Sequence, residues 1–403
     1  MSVAPPAVAG THRLDAREAS SLWQHVLQRQ GLGSRPGFTS IPAITDATLG
    51  LHAARLPSPY ATVLARAATT DVALGLWAEA THRKLITLRC MRRTLHTLPL
   101  ELAGSAHIAT LHYRERDALR RIMNAGCPDR LITELTRRIE DLLGEHGHLG
   151  HRQIEDRLTG AAPYAVRLAL KLAWERGTLA YRNRSGGWNR EVRTFALTAT
   201  THPELDLAVG RHSATSHLIE AYFERYGPAS LRDATWWSGL SRGAIVDALD
   251  RVGRPLIEVL TPWAAAPVYL FRDRFDEFTS AGPAPSPTRV HFLAHEDVAL
   301  KAYAETRTRY LGEVAECAAF NRIGEALPAV LIGGQVVATW SWDVRRHEVR
   351  YAYHRSRTGS LDREAIRAEA KRVTLGLRRG YDAGRVNSAN AGLRPELVAS
   401  AAP

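Results

Sequence analysis

Cysteine is scarce. The chain of 403 residues holds three, Cys90, Cys127 and Cys317. They are far apart and odd in number, which excludes a disulfide framework, and no Cys-x-x-Cys metal knuckle is present. A reducing compartment fits this usage. No apolar run is long enough to span a bilayer. The start, Met1-Ser2-Val3-Ala4-Pro5-Pro6, lacks the basic and apolar regions of a signal peptide. The expected location is the cytoplasm, with no membrane partner. Acidic residues are also in deficit: 41 Asp and Glu stand against 53 Lys and Arg, a net charge of +12. Such an excess of base points to a polyanion, of which nucleic acid is the commonest, although a basic proteome would produce the same balance.

What is present is a folded chain. Hydrophobic residues make up 45% and charged residues 23%, and the length exceeds what one core needs, so roughly two to four modules are expected. Residues 14–32 have helical spacing, with Ala19, Leu22, Trp23, Val26 and Leu27 on one face and Asp15 at the start. Residues 59–80 are mostly helical, and 85–96 read as an extended segment. The middle then repeats itself. Helices over 131–147, 150–158 and 164–176 precede a hairpin over 178–195 with a Gly186-Gly187 turn. About eighty residues later come helices over 216–226, 230–240 and 242–252 and a hairpin over 256–271.

Helix, helix, helix, hairpin is the order of a winged helix, whose third helix enters a DNA groove and whose hairpin is the wing. Winged helices also serve as plain protein-interaction units. Charge on the first of these wings favours DNA: Arg182, Arg184, Arg190 and Arg193 flank Trp188. Trp188 either stacks on bases or packs as core beneath the hairpin. Residues 281–287 have linker composition. Short apolar runs at 290–293, 329–332, 335–340 and 348–353 then predict a β-rich domain closed by a helix over 361–379. The expected fold is α+β. Three tandem winged-helix modules (14–125, 126–200 and 213–280) precede a C-terminal β-barrel-like domain (288–380), and residues 387–403 form a flexible tail.

Particular stretches carry a resemblance. Tyr226-Gly227-Pro228-Ala229-Ser230-Leu231-Arg232-Asp233-Ala234-Thr235-Trp236-Trp237-Ser238-Gly239-Leu240 resembles the third winged-helix module of the AlkZ/YcaQ-type DNA glycosylases, the helix-turn-helix 42 superfamily. Met91-Arg92-Arg93-Thr94-Leu95-His96 resembles that family's Met-Arg-Gly-Thr-Leu-His pattern, with Arg93 in place of glycine. Asn321-Arg322-Ile323-Gly324 through Pro328-Ala329-Val330-Leu331-Ile332-Gly333-Gly334-Gln335-Val336-Val337-Ala338-Thr339-Trp340 is similar to its barrel segment. The resemblance runs over 14–355. It implies a cofactor-independent monomeric enzyme that hydrolyses the N-glycosidic bond of alkylated purines in double-stranded DNA and unhooks interstrand crosslinks. It also implies a role in repair or in self-resistance to a genotoxic natural product, with nucleoid association when DNA is bound.

The family's chemistry resides in a Gln-hydrophobic-Gln or Gln-hydrophobic-Asp motif after Gly-Leu. Here Gly50-Leu51 is followed by His52-Ala53-Ala54. A neutral imidazole can take a proton from water, so His52 is the candidate catalytic base; its plain alternative is a histidine packed among small residues. Ala54 has no comparable capability. Either His52 suffices for an already activated base, or a further group compensates, with Asp46, Arg55 and His96 as candidates. The remaining alternative is a non-catalytic lesion-binding or regulatory DNA-binding protein. His96 has a structural role as its alternative, and Arg92 and Arg93 are candidates for phosphate. His291 and His295 have a ligand-like spacing only on a helix, and a strand is expected there, so no metal is expected. Asp297, with Arg307 or Arg309, is expected in a buried structural ion pair.

Overall fold

The computed structural model describes residues 4–282, 289–312, 314–354 and 360–390. Most of the expected linker, from residue 283, and the part of the tail beyond residue 390 lie outside the described residues. The architecture is mixed α and β. Its strands are β1 (Gly10–Arg13), β2 (Leu51–His52), β3 (Leu85–Arg89), β4 (Leu95–Pro99), β5 (Leu179–Asn183), β6 (Arg193–Leu197), β7 (Leu256–Leu260), β8 (Val268–Phe271), β9 (Val290–Leu293), β10 (Ala329–Ile332), β11 (Gln335–Asp343) and β12 (Glu348–Tyr353). Among the described residues no helix is long and apolar enough to cross a membrane.

The first helix, Ala16–Arg29, begins where Asp15 and Glu18 close a reciprocal capping box, and it buries the five residues that its spacing predicts. The segment 85–96 is not one extended stretch but a hairpin. Strands β3 and β4 pair from Leu85↔Pro99 to Arg89↔Leu95. Arg92 and Arg93 turn the chain with φ of 52° and 61°, in the left-handed region. Helix Leu100–Asn124 carries no strong sequence signal, because its buried face is largely small: Ala103, Gly104, Ser105, Ala106 and Ala109. That face lets helix Arg211–Tyr226 pack closely along it.

The repeated order is present. Helices Asp129–His146, His151–Arg157 and Pro163–Glu175 precede the β5–β6 hairpin. Helices Arg211–Tyr226, Leu231–Ser238 and Arg242–Val252 precede β7–β8. The first of these hairpins lacks the expected tight Gly-Gly turn; residues 184–192 form a longer loop. That loop is pinned to helix Ser360–Asn390, where a Cβ on Gly384 would lie 2.7 Å from the Gly187 Cα, so backbone meets backbone.

Two pairings tie distant parts of the chain together. Strand β1 runs parallel to β7, Gly10 opposite Ile257. The five-stranded sheet β2-β4-β3-β5-β6 joins the first hairpin to the second through Thr87↔Tyr181. The C-terminal domain is not a closed barrel. Strands β12-β11-β10-β9 form an open antiparallel sheet. Ile366, Ala370, Val373 and Leu377 of the last helix join its apolar core and cover what closure would otherwise have to bury. The buried ion pair of Asp297 exists, but its partner is Arg66 rather than Arg307 or Arg309. Two bonds of 2.8 and 2.9 Å join fully buried groups. Arg309 instead lies between the rings of Trp23 and Tyr303, 4.0 and 3.9 Å from their centroids.

Candidate active site

Strand β2 is placed by a sharp entry. Leu49 and Gly50 have φ of 48° and 91°. A Cβ on Gly50 would lie 2.3 Å from the Leu98 side chain and 2.6 Å from the Thr97 carbonyl oxygen, so only glycine fits. The strand then pairs Leu51 with Thr97 and His52 with His96. A period of two puts Leu51 and Ala53 on one face of the sheet and His52 on the other.

On that other face His52 is 2% exposed. Its ring lies edge-on to His96, with centroids 5.2 Å apart. Neither ring nitrogen has a hydrogen-bond partner. Oε2 of Glu296 lies 3.8 Å from Nε2. Burial first, then the neighbouring His96 and the Lys301 cation, hold the His52 imidazole far below its usual pKa, in the neutral form. His96 is pushed down to about 3, again chiefly by burial. Its Nδ1 lies 3.3 Å from the Thr94 carbonyl oxygen and 3.4 Å from the Cys90 sulfur.

Glu296 is held as firmly. Its backbone N–H donates to the Ala326 carbonyl and its Oε1 accepts from the Ala326 N–H, each at 2.8 Å. Its φ of 56° lies in the left-handed region, a strained setting for a glutamate. Lys301, also buried, forms an ion pair with it. Burial first, then Arg92, push the Lys301 ammonium pKa down to about 7; Glu325 acts the other way. The more open side of the cluster is built from His295, Arg55 and Glu325. Arg55 lies 3.3 Å and His295 3.8 Å from Oε2 of Glu325. Arg92 lies 3.6 Å above the Trp236 ring, which links the β3–β4 turn to helix Leu231–Ser238.

The structure therefore gathers His52 and His96, with Arg92 and Arg55 nearby. It does not gather Asp46, whose two carboxylate oxygens both accept from Arg225 at 2.8 Å. The candidate phosphate contacts are scattered over the surface and mostly paired. Arg93 bridges to Asp117 at 2.6 Å, Arg182 to Glu79 at 2.9 Å and Arg193 to Glu191 at 3.0 Å. Arg184 is exposed, while Arg190 is part-buried in the loop that its carbonyl helps to close, accepting from Asn183 and Ser185. Trp188 does not project as a wedge. It is 5% exposed, donates from Nε1 to the Leu377 carbonyl at 2.8 Å and meets Trp342 edge-on, because the long loop folds back onto the last helix.

Sequence reasoning missed Glu296 and Lys301. The available signal was three consecutive polar residues, His295-Glu296-Asp297, directly after a buried strand. Chemically, the cluster offers a neutral acceptor nitrogen, a buried carboxylate within reach of it and a lysine that balances the carboxylate. That set can take a proton from water and stabilise the positive charge that results.

A family model described as DNA glycosylase AlkZ-like matches residues 45–374. Among solved structures the chain is similar to the Streptomyces sahachiroi DNA glycosylase AlkZ. The TM-score is 0.72 at 22% identity, and the match covers 91% of this chain and 97% of that chain. At that identity the likeness speaks for the fold. No curated protein matches.

Proposed function

The chain belongs to the AlkZ-like DNA glycosylase family and is a DNA N-glycosylase; we propose that it releases N7-alkylated purines from duplex DNA, crosslinked ones included. In this reading the repeated helix-helix-helix-hairpin units over 126–200 and 213–280, with a divergent copy over 14–125, are winged helices that grip the duplex as a monomer. The domain over 288–380 supplies Glu296. The role is repair, or protection of a producing cell from its own genotoxic metabolite, in the cytoplasm on nucleoid DNA.

Alkylation at N7 makes the purine cationic and a better leaving group, so little acid catalysis is needed at the base. The harder tasks are to stabilise an oxocarbenium-like sugar and to deliver water to it. His52, kept neutral by its surroundings, takes the proton of that water. Glu296, 3.8 Å from its Nε2, stabilises the imidazolium that forms, and its negative charge favours the cationic sugar. Catalytic contacts of this kind are commonly long before substrate binds. The observation that carries the reading is this pairing of His52 with Glu296. A non-catalytic lesion binder drew its support from Ala54; Glu296 supplies the second polar side chain that the motif lacks.

The test is an oligonucleotide duplex carrying a single N7-methylguanine, incubated with the protein and probed for abasic sites. Native protein is expected to produce them. The His52→Ala variant is expected to bind the duplex and leave it intact. Folded native protein that releases no base from any N7-alkylated duplex would sink the proposal.

A further inference from the structure

A cavity of about 520 Å³ lies on the sheet face opposite His52, and Ala53 and Ala54 form part of its wall. We propose that it is a binding site for a planar, uncharged aromatic substituent carried by the damaged base. The inference rests on the glycosylase reading above and names what its substrate brings beyond the purine.

The volume is in the range of small-molecule sites. Leu95, Thr97, Thr87 and Tyr181 lie in register on this face of the sheet and reach the cavity. Tyr60 and Trp77 stand at its side as a stacked pair, their centroids 5.0 Å apart and their planes 12° off parallel. Tyr60 is fully buried, so Trp77 is the ring of this pair that a further flat ring would meet. The electrostatics narrow the occupant. Arg182 pairs with Glu79 at 2.9 Å, and Arg193 with Glu191 at 3.0 Å. All four residues line the cavity, so each of these cations faces a carboxylate within the wall; Arg83, which also lines it, is exposed.

Ala54 gives the site its bearing on the reaction. It is exposed at the end of β2, two residues beyond His52, and it contributes only a methyl group to the wall. Because β2 ends at His52, Ala54 is free of the strand's alternation, and a longer side chain at this lining position is expected to take up part of the space. A base held near His52 could carry a large substituent past the strand end onto the Tyr60–Trp77 stack. The alanine that removes a polar group from the motif therefore leaves room for the adduct.

The experiment has two arms. In the first, 1-pyrenemethanol is titrated into the full-length protein without DNA and tryptophan fluorescence is followed. Native protein is expected to show saturable quenching, weakened by about fivefold or more in Ala54→Leu and in Trp77→Ala, the scale on which one stacked ring is lost. In the second, duplexes carrying N7-(1-pyrenylmethyl)guanine or N7-methylguanine are compared as substrates. The ratio of their kcat/KM values is expected to fall by about tenfold in both variants. A ratio unchanged in both variants, or pyrenemethanol binding equal to native in both, overturns the proposal. If neither duplex is cleaved while pyrenemethanol binding still depends on Ala54 and Trp77, the glycosylase reading falls and the cavity stands as an aromatic site.

Discussion

Oε2 of Glu296, the oxygen that also meets Lys301, lies 3.8 Å from Nε2 of His52, although the two residues are far apart in the chain. One lies on a two-residue strand fixed by Gly50, the other in a left-handed turn after β9. Replacing Glu296 by Gln keeps the shape and the Ala326 contact but removes the charge that would stabilise a protonated His52 and that pairs with buried Lys301, so activity is compared per folded molecule. Base release should fall by about 100-fold or more, the usual scale for a positioned acid–base group, with duplex affinity unchanged. Single-turnover kinetics beside a gel-shift titration checks this; equal loss of binding and cleavage would argue for a purely structural role.

The strand entry should be as sensitive as the base itself. Gly50→Ala puts a methyl group against Leu98 and the Thr97 carbonyl and forces alanine to a φ of 91°. We expect a stability loss of about 1–3 kcal/mol from the strained backbone. Base release should fall by more than the loss of folded protein explains, because His52 is displaced. Urea unfolding together with activity per folded molecule separates the two effects.

Breaking the Asp297 ion pair tests the frame around the site. Arg66→Met leaves a fully buried carboxylate with its charge uncompensated. The expected cost is about 3–5 kcal/mol, read as a lower urea midpoint. The double variant Arg66→Met with Asp297→Leu should recover much of it, since apolar pairs of similar volume can replace buried ion pairs.

Acid should unfold the protein before it changes the chemistry. His96, His107 and His291 are buried, and their pKa values are lowered chiefly by burial, to about 3, 3 and 4; His52 is lowered further. In the unfolded chain each titrates near about 6.5. Below that pH the unfolded state binds protons that the native state refuses, so stability falls as pH drops and is restored as pH rises through that value. Tm should therefore decline between about pH 6.5 and pH 4. His52 stays neutral throughout and so adds no pH dependence to base release between roughly pH 6 and pH 8; Lys301, pushed down to about 7, is the group of the cluster that titrates there. A rise in rate with an apparent pKa near 6.5 that persists in Lys301→Met would show that His52 titrates freely and would contradict its burial.

Local signals made the first helix and the repeated order legible in the sequence, whereas His52 was singled out by the family resemblance. The Asp15–Glu18 cap, the spacing of Trp23 and Val26, and the alternation in β12 all act over a few residues. What escaped was set by distance or by a weak local pattern. The helix Leu100–Asn124 hides because small residues face its neighbours, so its apolar stripe is faint. Trp188 and the arginines around it suggested a surface wedge, but the last helix, nearly two hundred residues on, takes the indole into the core. Asp297 was expected in a buried pair, yet Arg66 could not be singled out among so many arginines. Glu296 has meaning only beside His52, and that adjacency is a product of the fold.

Thr87 opposite Tyr181 joins the hairpin that carries His96 to the hairpin that follows the second group of helices. The strand of His52 and the neighbouring hairpin thus belong to one continuous hydrogen-bonded slab, and the last helix is pressed against the loop of that hairpin at Gly384. A slab of this kind resists flexing between its two hairpins. If His52 is where the proposed lesion is attacked, the compliance that brings it there would come largely from the nucleic acid. Duplexes already weakened by an adduct cost less to distort, so on that proposal a stiff sheet would favour damaged over intact DNA.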